Sequence, residues 1–238
     1  MKKGKIYGIG LGPGDPELIT LKSANLIKSS EHIFFFKKKN GESRAYNIVK
    51  NIIREDAFKI SLEFPVTTEI DSTKKEYKDT IKSFYEQCVI KIDNILKKSF
   101  DICLLCEGDP FFYGSFIHIF QRLKKRYDIK IIPGVTGMSG AWSASKLPMV
   151  SGNEIMTILM GTLDEQKLKS QIKKSDVLVI MKIGKNFKKI FKVLREDNLL
   201  NRAYLITNAT TEKEKIYKLD SIDTEIVPYF SIILLKKN

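Results

Sequence analysis

Cys106-Glu107-Gly108-Asp109-Pro110-Phe111-Phe112-Tyr113-Gly114 decides how the rest of the chain is read. Ahead of it, Phe100-Asp101-Ile102-Cys103-Leu104-Leu105 is short, apolar and free of Gly and Pro, which predicts a buried strand. Behind it, Ser115 to Leu123 predicts a helix. A strand that stops at Gly-Asp-Pro and re-enters a helix presents backbone at the carboxyl edge of a sheet. In open α/β sheets that edge is where ligands bind. Gly108 has no side chain to hold a ligand away, and Asp109 can bond its own backbone or a ligand. Taken alone, the stretch fits a plain strand-to-helix turn better than a ligand site.

The same punctuation recurs on both sides. Lys5 to Leu11 reads as a first strand, opening into Gly12-Pro13-Gly14-Asp15-Pro16 and a helix from about Leu18, with Leu18, Leu21, Leu26 and Ile27 on one side. The glycines at 8, 10, 12 and 14 fit no G-x-G-x-x-G frame, and no Gly-Lys-Ser/Thr follows, so neither a dinucleotide fingerprint nor a P-loop is present. Two prolines stiffen this turn and remove N–H donors. Downstream, Ile129-Lys130-Ile131-Ile132 is a strand ended by Pro133-Gly134-Val135-Thr136-Gly137-Met138-Ser139-Gly140, where Thr136 can cap a helix or meet a ligand.

Between these turns lie a strand at His32–Phe36, a helix at 44–53, a weaker strand at 58–66 and a long amphipathic helix from about Ile70 to Lys98. The second half continues the alternation. Strands are expected at 155–160, 177–181 and 202–207, with helices at 165–174 and 186–196. The tail, 216–219 and 230–235, is expected to add antiparallel edges to a mixed sheet. The expectation is an α/β chain of two α/β domains, 1–120 and 121–238.

The 43% hydrophobic content of 238 residues is ample for a sizeable core. No stretch approaches the ~20 apolar residues of a membrane span, and the amino-terminal apolar run is short for a signal peptide, so the reading is a soluble, cytoplasmic chain. Cys88, Cys103 and Cys106 make no disulfide framework, and Cys103 and Cys106 would point to opposite faces of one strand, so no metal site is expected. The net charge of +13, from 41 basic and 28 acidic residues, suits an anionic partner or a well-solvated surface. No arginine-rich arm or basic-aromatic stripe accompanies it, so nucleic acid is not the expected partner.

Acid–base machinery is thin. The two histidines, His32 and His118, sit on apolar segments, and there is no G-x-S-x-G elbow or H-E-x-x-H. What remains is three glycine-rich turns at predicted strand ends. Such turns hold a ligand by backbone and shape, which suits chemistry carried by a reactive cofactor.

At this point three motifs carry a resemblance. Gly10-Leu11-Gly12-Pro13-Gly14-Asp15-Pro16-Glu17-Leu18, Glu107-Gly108-Asp109-Pro110-Phe111-Phe112-Tyr113-Gly114-Ser115-Phe116 and Pro133-Gly134-Val135-Thr136-Gly137-Met138-Ser139-Gly140 resemble those of the tetrapyrrole methylases. The resemblance runs essentially end to end, through Met181-Lys182 and Asn208-Ala209-Thr210 to Phe230-Ser231, and is nearest to the family's enzymes of cobalamin synthesis. It implies S-adenosylmethionine-dependent C-methylation of an anionic tetrapyrrole, a homodimer, and an active site in a cleft between the two α/β domains. By the same resemblance Pro13, Glu107, Gly108, Asp109, Phe112, Thr136, Gly137, Met181 and Ala209 line the S-adenosylmethionine site, with Phe112 and Met181 on the adenosine. Where the siroheme branch carries two glycines before the aspartate, this chain has Glu107-Gly108. The resemblance names no catalytic base; Asp15 is a candidate that also fits a capping role. Relatives of the same fold methylate uroporphyrinogen, other corrin precursors, ribosomal RNA or a protein histidine derivative. A basic nucleic-acid-binding protein without methyl transfer is the alternative of another class.

Overall fold

The computed structural model describes residues 3–67, 74–222 and 227–237, and the chain divides into two compact units, Met1–Thr136 and Gly137–Asn238. In the first, five short apolar stretches form strands β1 (Ile6–Gly10), β2 (His32–Lys38), β3 (Phe58–Phe64), β4 (Ile102–Cys106) and β5 (Ile129–Ile132). They make one parallel sheet in the order β3-β2-β4-β1-β5. Helices α1 (Leu21–Ser29) and α2 (Arg44–Val49) pack on one face; α3 (Lys75–Leu96) and α4 (Phe116–Leu123) pack on the other. Covering both faces explains why every residue of β4 is buried. Cys103 joins the α1–α2 side and Cys106 the α3–α4 side, as the two-residue period of a strand requires.

This topology creates a parting of the chain. β1 leads into α1 on one face, while its neighbour β4 leads into α4 on the other. Two adjacent parallel strands whose connections leave in opposite directions open a crevice at their carboxyl ends.

The helix expected from about Leu18 is two pieces. Asp15 caps a 3-10 turn, Pro16–Leu18, by accepting from the Glu17 N–H at 2.8 Å. Thr20 then caps α1, accepting from the Ser23 N–H at 3.2 Å. Two caps so close together interrupt the helical run. Leu21 is left 84% exposed instead of sharing a buried side with Leu26 and Ile27.

The long helix appears as α3; the part expected at 70–73 lies outside the described residues. Its buried face carries Phe84, Tyr85, Cys88, Ile92 and Leu96, and also Asp93. The Asp93 carboxylate accepts from Tyr127 Oη at 2.6 Å and pairs with Lys97 Nζ at 2.6 Å and Arg126 Nη1 at 3.2 Å. This ties α3 to the segment entering β5. Lys97, then the Tyr127 hydroxyl, hold the Asp93 carboxyl below its ordinary value. A depressed carboxyl stabilises the fold above its unfolded-state value and loses that contribution as pH falls through the folded-state value. Asp93→Asn is therefore expected to cost about 2 kcal/mol at pH 7. The difference from wild type should shrink below about pH 4 in urea unfolding series. A difference that stays constant down to pH 2.5, well below about 4, would show that ionisation of Asp93 contributes nothing.

The position 120/121, expected to separate the domains, falls inside α4, and β5 pairs with β1 in the first unit. The second unit holds α5 (Gly137–Ala144), β6 (Met156–Met160), α6 (Glu165–Lys174), β7 (Val177–Met181), α7 (Phe187–Glu196), β8 (Ala203–Thr207), β9 (Lys215–Lys218) and β10 (Ser231–Lys236). Its sheet runs β6-β7-β10-β8-β9. β6 and β7 are parallel, and β10 is antiparallel to both β7 and β8. β7 and β8 thus run the same way, and β6, β7 and β8 end at one edge. The tail is antiparallel as expected, but only β9 lies at an edge; β10 is central. Ile233, Leu234 and Leu235 are all fully buried, because α6 and α7 cover one face and α5 the other. An unbroken apolar run demands cover on both faces, which an edge strand rarely receives. Among the described residues, no helix is long and apolar enough to cross a membrane.

Candidate functional site

In the first unit the turns after β1, β4 and β5 meet backbone to backbone. Gly10 pairs with Cys106, and the pairing continues past both strands. The Gly108 N–H donates to the Gly12 carbonyl at 2.8 Å, and the Gly12 N–H to the Gly108 carbonyl at 3.4 Å. Both glycines are left-handed, with φ of +79° and +64°, a region that side chains disfavour. The turn after β5 closes from the other side. A Cβ on Gly10 would lie 2.5 Å from the Gly134 nitrogen. One on Gly134 would overlap the Gly108 carbonyl oxygen and lie 2.9 Å from Gly10 Cα.

Side chains lock these turns. Asp109 Oδ1 accepts from the Phe111 N–H at 2.8 Å and Oδ2 from the Gly134 N–H at 3.2 Å. The buried Ser23 hydroxyl donates to the Gly10 carbonyl at 3.0 Å. Arg44 Nη2 donates to the Pro13 carbonyl at 3.2 Å. Glu107 is half-buried beside them. Loss of water pushes its carboxyl up to about 7, with the Arg44 guanidinium and the Ala45 N–H pulling the other way. Phe112 sits on the same turn, its ring edge-on to Tyr113, 5.0 Å between centroids.

In the second unit the carboxyl ends of β7 and β8 carry the remaining residues. Met181 closes β7, and its carbonyl accepts from the Gly161 N–H at 2.7 Å. Ala209 lies between Asn208 and Thr210, both left-handed at φ +49° and +64°. For a β-branched threonine that is a strained backbone, and strain of this kind collects at ligand-binding segments. It is held by Glu214 Oε2, which accepts from the Thr210 N–H at 2.6 Å, and by Thr211 Oγ1, which donates to the Asn208 carbonyl at 2.8 Å. Met181 and Ala209, like Met138, Trp142 and Ile232, pack against a buried cluster that contains Ala141, Val179 and Ile206. Gly137 opens α5 beside it, where an added Cβ would lie 3.8 Å from the Ile232 side chain.

All nine residues expected to line the site are half-buried, neither core nor fully exposed. Pro13, Glu107, Gly108, Asp109 and Phe112 flank the crevice of the first sheet, and Thr136 ends the segment that follows β5. Gly137, Met181 and Ala209 gather at one edge of the second sheet. The nine expected lining residues leave out Gly10, Gly134 and Ser23, which hold the turns together. A glycine as the last residue of a buried strand was the available signal for Gly10. His32 starts β2, at the opposite edge, between Phe58 and Phe100 at 5.1 and 4.9 Å. His118 is exposed and stacks on Tyr85 at 4.3 Å.

The family model described as Tetrapyrrole (Corrin/Porphyrin) Methylases matches residues 5–223. A precorrin-2 C(20)-methyltransferase of a Sinorhizobium species is 34% identical over 232 residues, 98% of this chain and 95% of that protein. A probable cobalt-precorrin-2 C(20)-methyltransferase of Methanocaldococcus jannaschii is 31% identical over 241 residues, 98% and 96% of the two chains. Among solved structures, the uroporphyrin-III C-methyl transferase from Thermus thermophilus, complexed with S-adenosylhomocysteine, superposes with a TM-score of 0.66 at 20% identity. It covers 98% of this chain and 98% of its own.

Proposed function

From the premise that the chain belongs to the tetrapyrrole (corrin/porphyrin) methylases, we propose that it transfers a methyl group from S-adenosylmethionine to carbon 20 of precorrin-2, or of its cobalt form, in cobalamin biosynthesis. The observation that carries this reading is likeness over nearly the whole length to relatives that bear that activity in their names, at 34% and 31% identity. These relatives span both metal states of the substrate. The homodimer and the nine lining residues belong to the same proposal.

The turns fit the donor. Gly10, Gly12, Gly108 and Gly134 bring bare backbone to one crevice, where a Cβ would intrude on the Gly10 and Gly134 positions. Backbone brought this close can meet the polar edges of a nucleoside. Phe112, on the Gly108 turn, offers apolar cover for its rings. When bound, S-adenosylmethionine supplies an electrophilic methyl on a sulfonium. The chain then has to orient the nucleophilic bridge carbon and exclude water, tasks that need rigid turns more than strong acids or bases. The charge of +13 favours capture of a substrate rich in carboxylates.

The test is incubation of the purified chain with S-adenosylmethionine and enzymatically made precorrin-2, with and without cobalt, read by mass and absorbance. A product one methyl group heavier in either metal state is expected. Methylation of uroporphyrinogen III with none of precorrin-2 would move the chain to another acceptor within the family.

A further inference from the structure

β9 is an edge strand whose four residues are all exposed, so it adds little to the core of the second unit. What it does fix is register. Thr207 of β8 pairs with Lys215 of β9, which sets Glu214 at the foot of the 208–214 turn. That turn carries Ala209, with Asn208 and Thr210 both left-handed. Asparagine accepts this conformation readily; a β-branched threonine does not. A backbone held against its preference needs a partner that makes its other conformations worse.

The two flanks of Ala209 are held in different ways. The Asn208 N–H donates to the Phe230 carbonyl at 2.8 Å, backbone to backbone, just ahead of β10. On the other flank the Thr210 N–H donates to Glu214 Oε2 at 2.6 Å, a short bond of the stronger, charge-assisted kind. Glu214 is half-buried, and its own N–H donates to the Thr211 carbonyl at 2.9 Å, so its side chain and backbone grip neighbouring residues of the turn. We infer that Glu214 is a positioning residue: its carboxylate holds Thr210 left-handed and so keeps Ala209 in the geometry that receives the methyl donor. This rests on the reading that Ala209 lines the S-adenosylmethionine site. Without the carboxylate, Thr210 relaxes towards negative φ, and the backbone at Ala209 turns with it.

The experiment is calorimetric titration of the intact chain with S-adenosylhomocysteine, for wild type, Glu214→Ala, Thr210→Gly and the double variant. Glu214→Ala should bind about tenfold weaker, as when a turn keeps its binding geometry about one-tenth of the time. Glu214→Gln retains an acceptor oxygen and should recover most of that loss, to within about threefold of wild type. In the Thr210→Gly background the same Glu214→Ala change should cost less than about threefold, because glycine enters the left-handed region without penalty. In methyl transfer, Glu214→Ala should raise KM for S-adenosylmethionine about tenfold and leave kcat within about twofold. A role in hairpin stability alone would lower the unfolding midpoint and leave the affinity and KM of the folded protein unchanged. Wild-type affinity in Glu214→Ala overturns the positioning role and leaves the donor reading standing. So does an equal loss in the threonine and glycine backgrounds, or a Glu214→Ala chain that does not fold, which makes the carboxylate a requirement of the fold. No binding by wild type overturns the donor reading, and this inference with it.

Discussion

Gly134→Ala is expected to lower stability by roughly 3 kcal/mol, the upper end for overpacking, and methyl transfer by at least ~10²-fold, the cost of a displacement near 1 Å. The new Cβ meets the Gly108 carbonyl oxygen and the Gly10 backbone, with Gly10 Cα at 2.9 Å. None of these is the far end of a flexible side chain, so one of the three turns has to retreat. The retreat opens the Gly12–Gly108 bridge or breaks the Asp109–Gly134 hydrogen bond. Gly184→Ala serves as the control, because nothing lies within 4 Å of a Cβ there. Its effect should stay within about 0.5 kcal/mol. Urea unfolding and single-turnover methyl transfer measure both quantities. A Gly134→Ala protein that unfolds and turns over like wild type would refute the packed meeting of the three turns.

Asp109→Ala should cost about 2 kcal/mol, since the hydrogen bonds it removes are to a charged group, and about 10²-fold in methyl transfer through a misplaced turn. Both carboxylate oxygens are in use, one on the Phe111 N–H inside its own turn and one on the Gly134 N–H of the next. The side chain thus braces the turns against each other. Asp109→Asn keeps one acceptor oxygen and should lose about half as much stability. If Asp109 instead served only as a direct contact to the donor, stability would be unchanged and KM for S-adenosylmethionine would rise alone. Unfolding measurements beside a kcat and KM comparison separate these outcomes.

Much of this was legible locally. The apolar run 100–105 reads as a buried strand and is found as β4, and the glycine-rich turns mark the carboxyl ends where ligand contacts collect. The opposite facing of Cys103 and Cys106 followed from strand periodicity. Other features depended on distant partners. Leu18 and Leu21 satisfy helical spacing, yet Asp15 and Thr20 cap separate pieces, and the caps prevailed. The run 230–235 reads as an antiparallel edge, and nothing in it states that β10 inserts between β7 and β8.

By itself, the sequence determined the alternation of strands and helices, the three turns and their family likeness. Each of these is written in residues close enough along the chain to share one strand, turn or helix. Only the tertiary structure decided the strand order, the crevice between β1 and β4, the contact of Gly10 with Gly134, and the link from Arg44 to Pro13. Buried parallel strands look alike from their own residues, and which two become neighbours is settled by packing both faces of the sheet at once.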